Sequence, residues 1–309
     1  MRGAFPLLLL VLPALTLGAS AKPLRIATWN LEWLVSPATT HAARLACREG
    51  RRTALPCDVA LGGARSSPDF ARLAHYATQL DADIIALQEV EDPATAARVF
   101  SGYRFCLSGH RLTQNLGFAV RAGVPFRCGP ELEGLAVTGT LRPGMTLVVD
   151  PGGPRELHLL TVHLKSGCAQ GAMAPEHAAC RLLAQQLPQV GAWLSDQARA
   201  GHRHAALGDF NRSWERNGSA AALGLPDRGE TGLDNPGEQA GFRSCYAGQT
   251  FTRYIDHLLI GRSGGLRIEP ESFFRIRFEP QDVRRYRLSD HCPTGVVLQF
   301  TAREPGRAR

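Results

Sequence analysis

Residues 204–211 read His204-Ala205-Ala206-Leu207-Gly208-Asp209-Phe210-Asn211. A short apolar run, suited to a buried strand, breaks without a spacer into an acid and an amide. The same switch recurs near the C-terminus, in Leu288-Ser289-Asp290-His291-Cys292-Pro293. Three more lie upstream. Leu24 to Trp29 ends at Asn30, with Glu32 close behind. Asp83 to Leu87 ends at Gln88-Glu89, and Leu157 to Leu164 carries His163 and leads into Lys165. Asp256 falls inside a further strand-like run, Tyr254 to Ile260. Taken singly, each cluster has a structural explanation, such as a cap, an Asx-turn or a satisfied core histidine. Together they deliver acids, amides and histidines to strand ends, the arrangement that metal-assisted phosphate chemistry requires.

Working outward, further strands are predicted at Tyr103 to Leu107, Leu116 to Arg121, Phe126 to Cys128, Leu135 to Thr138, Met145 to Val149 and Thr294 to Phe300. Turn residues such as Pro143-Gly144 and Pro151-Gly152-Gly153-Pro154 separate several of them. Pro68-Asp69 opens an amphipathic helix with Phe70, Leu73, Tyr76, Ala77 and Leu80 on one face. Other helices are expected near His41 to Arg48, after Pro93, and over Pro175 to Gln197, with Leu182, Leu183, Leu187, Val190, Trp193 and Leu194 facing the core. Strands alternating with a few helices, plus several consecutive strands, predict a mixed α/β sandwich rather than a doubly wound parallel sheet. A dinucleotide fold is disfavoured, because no G-x-G-x-x-G follows a strand.

The N-terminus reads as a secretory signal peptide over residues 1–21. Arg2 precedes an apolar run, Leu7 to Leu17, broken by Pro13, and Ala19-Ser20-Ala21 is a small-x-small cleavage site. That run is shorter than the roughly 20 apolar residues of a membrane span. An exported protein is therefore expected, secreted or periplasmic, without stable membrane insertion. With no linker or repeat in view, residues 22–301 are expected to form one catalytic domain, with a tail over 302–309. A monomer is expected.

All eight cysteines follow the cleavage site. An even count in an exported chain suggests disulfides. Pairing of sequence neighbours gives Cys47–Cys57, Cys106–Cys128, Cys168–Cys180 and Cys245–Cys292. None is spaced C-x-x-C, so a zinc cluster of cysteines is disfavoured. Formal net charge is +7, and of 35 basic residues only Lys22 and Lys165 are lysines. A basic balance favours anionic partners. Two segments concentrate it: Arg44 to Arg52, and Arg262 to Arg287 just before Asp290. For the second, a solvated face is the simpler explanation and a phosphate contact the functional one. His202 and His204 alternate on one strand face, and a metal role for them needs a third ligand.

Thr28-Trp29-Asn30, Leu87-Gln88-Glu89-Val90, Val162-His163-Leu164-Lys165-Ser166, Gly208-Asp209-Phe210-Asn211, Ile255-Asp256-His257 and Ser289-Asp290-His291-Cys292-Pro293 occur in this order. The ordered set resembles the endonuclease/exonuclease/phosphatase superfamily, from Arg25 to about Leu298. That superfamily includes pancreatic-type deoxyribonucleases, abasic-site endonucleases, bacterial sphingomyelinases and inositol polyphosphate phosphatases. The resemblance implies a four-layer α-β-β-α sandwich of two mixed, mainly antiparallel sheets, with the site at one rim. It implies a metal held by Glu89 with Asn30 and Asp290, Mg²⁺ first and Mn²⁺ or Ca²⁺ as alternatives. It gives Asp209 the attacking water and Asn211 the pentavalent phosphate. His291, oriented by Asp256, takes a phosphate oxygen or the proton transfer, and His163 holds the phosphate from the opposite side. Arg142 is an implied phosphate contact; Lys165 is a second candidate because strand alternation points it the same way as His163, with a solvated lysine as the equal alternative, while Glu32 is read as stabilising its loop and Gln114-Asn115 as a turn. The superfamily core does not choose the substrate. Three readings stay open: an exported metal-dependent nuclease acting on DNA or RNA, a sphingomyelinase-like or other phosphate-ester hydrolase, and a binding module without catalysis. The first is favoured by the basic segments. The second would call for exposed aromatics, for which Phe273-Phe274 is the candidate pair.

Overall fold

The structure is a computed structural model that describes residues 21–109, 113–139, 141–213, 232–249 and 252–301. The expected signal segment up to Ser20, the tail over 302–309, the Asn217 glycosylation sequon and most of the polar loop after Arg212 lie outside the described residues.

Two sheets face each other. The first contains β1 (Ala21–Leu34), β2 (Ile84–Val90), β3 (Tyr103–Leu107), β4 (Asn115–Arg121), β11 (Leu266–Ile268), β12 (Phe274–Arg275) and β13 (Thr294–Phe300). Its order is β11-β13-β1-β2-β4-β3, with β12 also paired to β13. The second contains β5 (Phe126–Leu132), β6 (Gly144–Val149), β7 (Leu157–His163), β8 (His204–Asp209), β9 (Leu233–Asp234) and β10 (Asp256–Gly261), in the order β5-β6-β7-β8-β10-β9. Each sheet holds one parallel pair, β1 with β2 and β7 with β8, and its other described pairs are antiparallel. This is the mixed, mainly antiparallel sandwich that the sequence implies.

Period-two alternation builds the layers. Leu24, Ile26, Ile84, Ala86, Leu159, Leu207 and Leu258 pack together between the sheets. Their neighbours Ala27, Trp29, Ile85 and Leu87 face outward, onto Phe70, Leu73, Tyr76 and Leu80 of α3 (Ser67–Leu80). On the far side, Leu160, Val162, Ala206 and Leu259 pack on Leu183, Leu187, Val190 and Leu194 of α5 (Ala178–Arg199). Helix α3 starts at Ser67, one residue before Pro68, because Ser66 and Asp69 form a capping box, an arrangement that typically contributes about 1 kcal/mol.

Several boundaries differ from the sequence reading. Leu135 to Thr138 is not a strand. A 3₁₀ turn, Glu133–Leu135, drops Leu135 into the core beneath α5, and β5 instead extends to Leu132. The segment before Ala178 forms turns, so α5 starts later than Pro175. β1 and β2 run on through Asn30 and Glu89, because the ladder slips between the pairs Asn30↔Gln88 and Leu34↔Val90. β1 uses three residues there against one on β2, a bulge that bends the strand at the rim.

Disulfides join Cys47 to Cys57, Cys106 to Cys128, Cys168 to Cys180 and Cys245 to Cys292. The first clips α1 (Pro37–Arg48) to α2 (Cys57–Leu61). Among the described residues, no helix is long and apolar enough to cross a membrane.

Candidate active site

The alternation that fills the space between the sheets also furnishes its rim. Asn30 continues the series of Leu24 and Ile26, and Gln88 that of Ile84 and Ala86. On the other sheet His163 follows Leu159, Asp209 follows Leu207, and Asp256 precedes Leu258 in the same way. Register aligns them. His163 pairs with Asp209 across β7 and β8, and Asp209 with Asp256 across β8 and β10. Three functional side chains therefore form one row on one face. Gly208 makes this possible. A Cβ there would lie 2.1 Å from the Val162 carbonyl oxygen, and its φ of 141° is one that side-chain-bearing residues avoid.

Hydrogen bonds join the rims across the gap. Asn30 Nδ2 donates to Asp209 Oδ2 at 3.0 Å and to Glu89 Oε1 at 3.2 Å. Gln88 Nε2 donates to Thr161 Oγ1 at 3.0 Å. Glu89 lies off the alternation, and a φ of 60° turns it inward. Glu32, Trp33 and Asn211 also have positive φ, at 46°, 56° and 51°. Such conformations cost free energy and gather at functional sites. Here they have purposes: Trp33 N–H donates to Glu89 Oε2 at 3.1 Å, and Asn211 N–H to Asp209 Oδ1 at 2.8 Å.

The loop bearing Asp290 and His291 is held from several sides. Ser289 Oγ donates to the Asn30 carbonyl, Trp29 Nε1 to the His291 carbonyl and Gln249 Nε2 to the Asp290 carbonyl. His291 Nδ1 lies 2.8 Å from Asp256 Oδ2, and its Nε2 lies 3.8 Å from both Asp209 and Asp290. Burial alone would push His291 down. Burial is the largest single influence, but the charge and hydrogen bond of Asp256 together with the charges of Asp209 and Asp290 overcome it and hold the imidazole well above its usual value, as a cation. Burial raises Asp209 to about 7, against the pull of the His291 charge. Burial pushes His163 well below the usual range, reinforced by Arg142 and His291. His163 is therefore neutral. Its Nε2 stands 3.7 Å from Glu89 and 3.6 Å from Asp209, beyond hydrogen-bonding reach. Its buried Nδ1 has no partner among the described residues.

Asn211 Nδ2 donates to the Leu164 carbonyl at 3.0 Å, so one amide hydrogen holds the loop and the second is left for a ligand. Burial lowers the Arg142 pKa against the charges of Glu89 and Asp209; its Nη1 donates to Gln114 Oε1 at 2.6 Å, and its buried Nε has no partner among the described residues. Gln114 thereby steadies Arg142 rather than only shaping a turn. Lys165 is not brought in. β7 ends at His163, so alternation no longer directs Lys165, and its Nζ donates to the Ser166 carbonyl. Glu32 accepts from the Asp290 N–H at 3.0 Å, a loop-holding contact.

One arginine matters that the sequence did not mark, and another is placed differently from the basic segment it belongs to. Arg65 is 4 % exposed and donates to the carbonyls of Leu31, Trp33, Arg287 and Leu288, which belong to the two segments carrying Glu32 and Asp290. Nothing local distinguishes it from the other arginines. Arg275 belongs to the basic segment, yet it is partly buried. It lies over the Tyr254 ring at 4.6 Å, and its Nε and Nη1 lack partners among the described residues. Arg262 pairs with Asp234, and Arg287 donates to the Gly63 carbonyl. The segment Arg262 to Arg287 therefore does not form one basic face.

The donors suit a hard divalent cation. Glu89 and Asp290 offer carboxylate oxygens, and Asn30 Oδ1, which accepts from Glu32 N–H, keeps a second lone pair. Asp209, Asp256 and His291 also bring ligand atoms within 4.8 Å of one another. There, however, His291 Nδ1 is already engaged by Asp256, so this trio is better read as a charge pair facing a buried acid.

A two-sheet sandwich with such a rim defines a phosphoester-hydrolase class of protein. The sequence profile of the Endonuclease/Exonuclease/phosphatase family matches residues 27–291, and the chain belongs to that family. Its members hydrolyse phosphoesters and use divalent metal ions. No curated protein matches the sequence. Among solved structures, TDP2 from Caenorhabditis elegans is similar at 18 % identity and a TM-score of 0.58, covering 90 % of this chain and 75 % of that one. The human Nocturnin catalytic domain with bound sulfate is 14 % identical, with a TM-score of 0.57 and coverage of 90 % and 95 %. The Bacteroides thetaiotaomicron mannosyl-6-phosphatase is 15 % identical, with a TM-score of 0.54 and coverage of 90 % and 100 %. At these identities the likeness concerns the fold.

Proposed function

We propose that the chain is an exported metal-dependent phosphodiesterase, an endonuclease that hydrolyses DNA foremost and RNA second. The observation that carries the reading is the buried His291–Asp256 pair facing Asp209, with neutral His163 and Glu89 on the other side. Glu89, Asp290 and Asn30 would hold a Mg²⁺ ion, whose positive charge would offset that of a phosphodiester anion on approach.

The remaining work belongs to side chains. Asp209 orients the attacking water and accepts its proton, and a buried carboxylate raised to about 7 is a stronger base than an exposed one. His291, kept cationic by Asp256, donates through Nε2 to a phosphate oxygen as charge gathers there. Asn211 adds its second amide hydrogen. His163 steadies the phosphate from the opposite wall, and Arg142 offers a guanidinium.

The nucleic-acid choice rests on charge beside the site. Arg44, Arg48, Arg51 and Arg52 are exposed on and after α1. The α1–α2 lobe packs against Trp33, whose N–H holds Glu89. A cationic lobe beside the rim suits a polyanion running past it. Zebrafish TDP2, 19 % identical with a TM-score of 0.57, has been solved with a single-strand DNA product, in keeping with nucleic acid on this fold. The lipid reading loses its aromatic pair: Phe273 and Phe274 are both half-buried, Phe274 beneath the Arg25 guanidinium. Export through residues 1–21, one catalytic domain over 22–301 and a monomeric state complete the proposal, and four disulfides suit an oxidising compartment. The test is supercoiled plasmid with Mg²⁺, alongside sphingomyelin and a sugar phosphate. Plasmid nicking abolished by EDTA is expected. Intact plasmid with turnover of either other substrate would overturn the nucleic-acid assignment.

A further inference from the structure

Three metal-ligating side chains meet at the end of the second sheet remote from the rim. β7 and β8 run parallel, so His163 and Asp209 share one end while His158 and His204 share the other. Glu156 precedes β7, and His202 lies in the turn entering β8. The His158 and His202 rings stack face to face, with centroids 4.0 Å apart and planes within 8°. Glu156 Oε1 lies 3.3 Å from His158 Nε2. One ligand atom from each of the three residues falls within 4.8 Å of the others. The side chains of Glu156 and His158 are 22 % and 18 % exposed, sheltered yet reachable from solvent.

The surroundings hold these groups in a ligating form. His202 Nδ1 is 2.9 Å from Gln197 Oε1. A carbonyl oxygen only accepts, so Nδ1 carries the proton and Nε2 holds the lone pair. Metal-bound histidines characteristically donate their second ring N–H to such a partner. Gly152 N–H donates to Glu156 Oε2 at 2.6 Å, while Oε1 faces His158 Nε2 at 3.3 Å. Ser263 Oγ donates to the His202 carbonyl at 2.8 Å and anchors the turn. His204 is not part of the set, because its Nδ1 faces the His202 carbonyl at 2.9 Å and its Nε2 is buried.

We propose that Glu156, His158 and His202 form a second, structural metal site that takes Zn²⁺, with solvent completing the coordination. Two imidazoles and a carboxylate suit zinc and not Mg²⁺. At zinc–nitrogen distances of about 2.0–2.1 Å, tetrahedral ligand atoms lie about 3.3 Å apart, so closing the site requires the two stacked rings to turn out of their parallel arrangement until both planes meet at the ion. The ion ties the turn before β8 to the start of β7, the two strands whose far ends carry Asp209 and His163.

The test is calorimetric titration of Zn²⁺ into chelator-stripped protein in excess Mg²⁺, with melting temperature as a second readout. The wild type and a Glu89→Gln variant should both bind a zinc ion saturably and melt higher with it. His202→Asn should abolish that binding and the zinc-dependent rise in melting temperature. Gln197→Ala should weaken binding on the order of tenfold or more. If His202→Asn fails to fold in EDTA, Glu156→Gln decides, since it keeps size and shape and must weaken binding at least about tenfold. Saturable binding that survives in the histidine and glutamate variants, or that disappears in Glu89→Gln, overturns the proposal, as does no saturable binding at all.

Discussion

Replacing Arg65 with methionine tests how the rim is held together. The guanidinium donates to four carbonyl oxygens, at 2.8 Å to Trp33, 3.0 Å to Leu31, 2.6 Å to Leu288 and 3.1 Å to Arg287. Burial lowers the Arg65 pKa to about 10, so it remains a cation at neutral pH. The bonds to Leu31 and Leu288 are wholly buried, while the other two are partly buried and their carbonyls can turn to water. Hydrogen bonds to a charged group contribute about 1.5–3 kcal/mol each, so losing the two buried ones costs about 3–6 kcal/mol. For a chain of this size, about 2 °C of melting temperature corresponds to 1 kcal/mol, so Arg65→Met should melt roughly 6–12 °C lower. Arg65→Lys should recover only part of this, because an ammonium is a point donor and cannot span both segments. Scanning calorimetry on the oxidised protein measures the shift. A fall of less than about 2 °C for Arg65→Met would refute the clamp.

Asp256→Asn removes the carboxylate that keeps His291 cationic, and breaking a buried pair costs about 3–5 kcal/mol. Phosphodiesterase activity at pH 8 should fall by about 10²–10³ relative to wild type, and the deficit measured against wild type at the same pH should shrink toward pH 6 as His291 regains its proton; a pH-independent deficit would contradict the role given to Asp256. Glu89→Gln should raise the Mg²⁺ concentration needed for half-maximal activity at least about tenfold, and an unchanged Mg²⁺ dependence would remove Glu89 from the metal. Burial holds His257 below its usual pKa, against the opposing effects of its hydrogen bond to Arg212 and of Asp256. The unfolded chain therefore binds the extra proton, and the His257 contribution is complete above about pH 6.5 and lost as pH falls below it. Urea titrations should show wild-type stability falling more steeply between pH 7 and 5 than that of His257→Gln, by up to about 1.4 kcal/mol per unit, and parallel curves would contradict this. Reduction should lower activity by releasing Cys292 from Cys245 beside His291; full activity with free thiols demonstrated would show that the loop needs no such tether.

Much of this was written into the sequence through alternation. The parity that buries Leu24 and Ile26 carries Asn30 inward, and the parity of Leu207 carries Asp209. Local pattern therefore located the rim residues before any tertiary contact was known. Glu89 was found by its motif, since parity alone would turn it outward, and only the bulge and its positive φ bring it in. Lys165 shows the converse, because alternation carries no information once the strand has ended. The place of Arg65, and the burial of Arg275 within its basic segment, were illegible for another reason. Their roles depend on carbonyls and rings far away in sequence, and an arginine carries no local sign of burial. The cluster of Glu156, His158 and His202 likewise needed the stacking of two segments some forty residues apart, which pairing of β7 with β8 supplies.

The central claim is that Asp209 activates water for attack on a phosphodiester at this rim. The direct measurement is the Mg²⁺-dependent rate of supercoiled-plasmid nicking by Asp209→Asn against wild type, with melting temperatures taken on the same samples. Loss of a general base predicts a fall of about 10²–10⁴ in a variant that still folds. A well-folded Asp209→Asn protein that nicks plasmid at the wild-type rate would contradict the account.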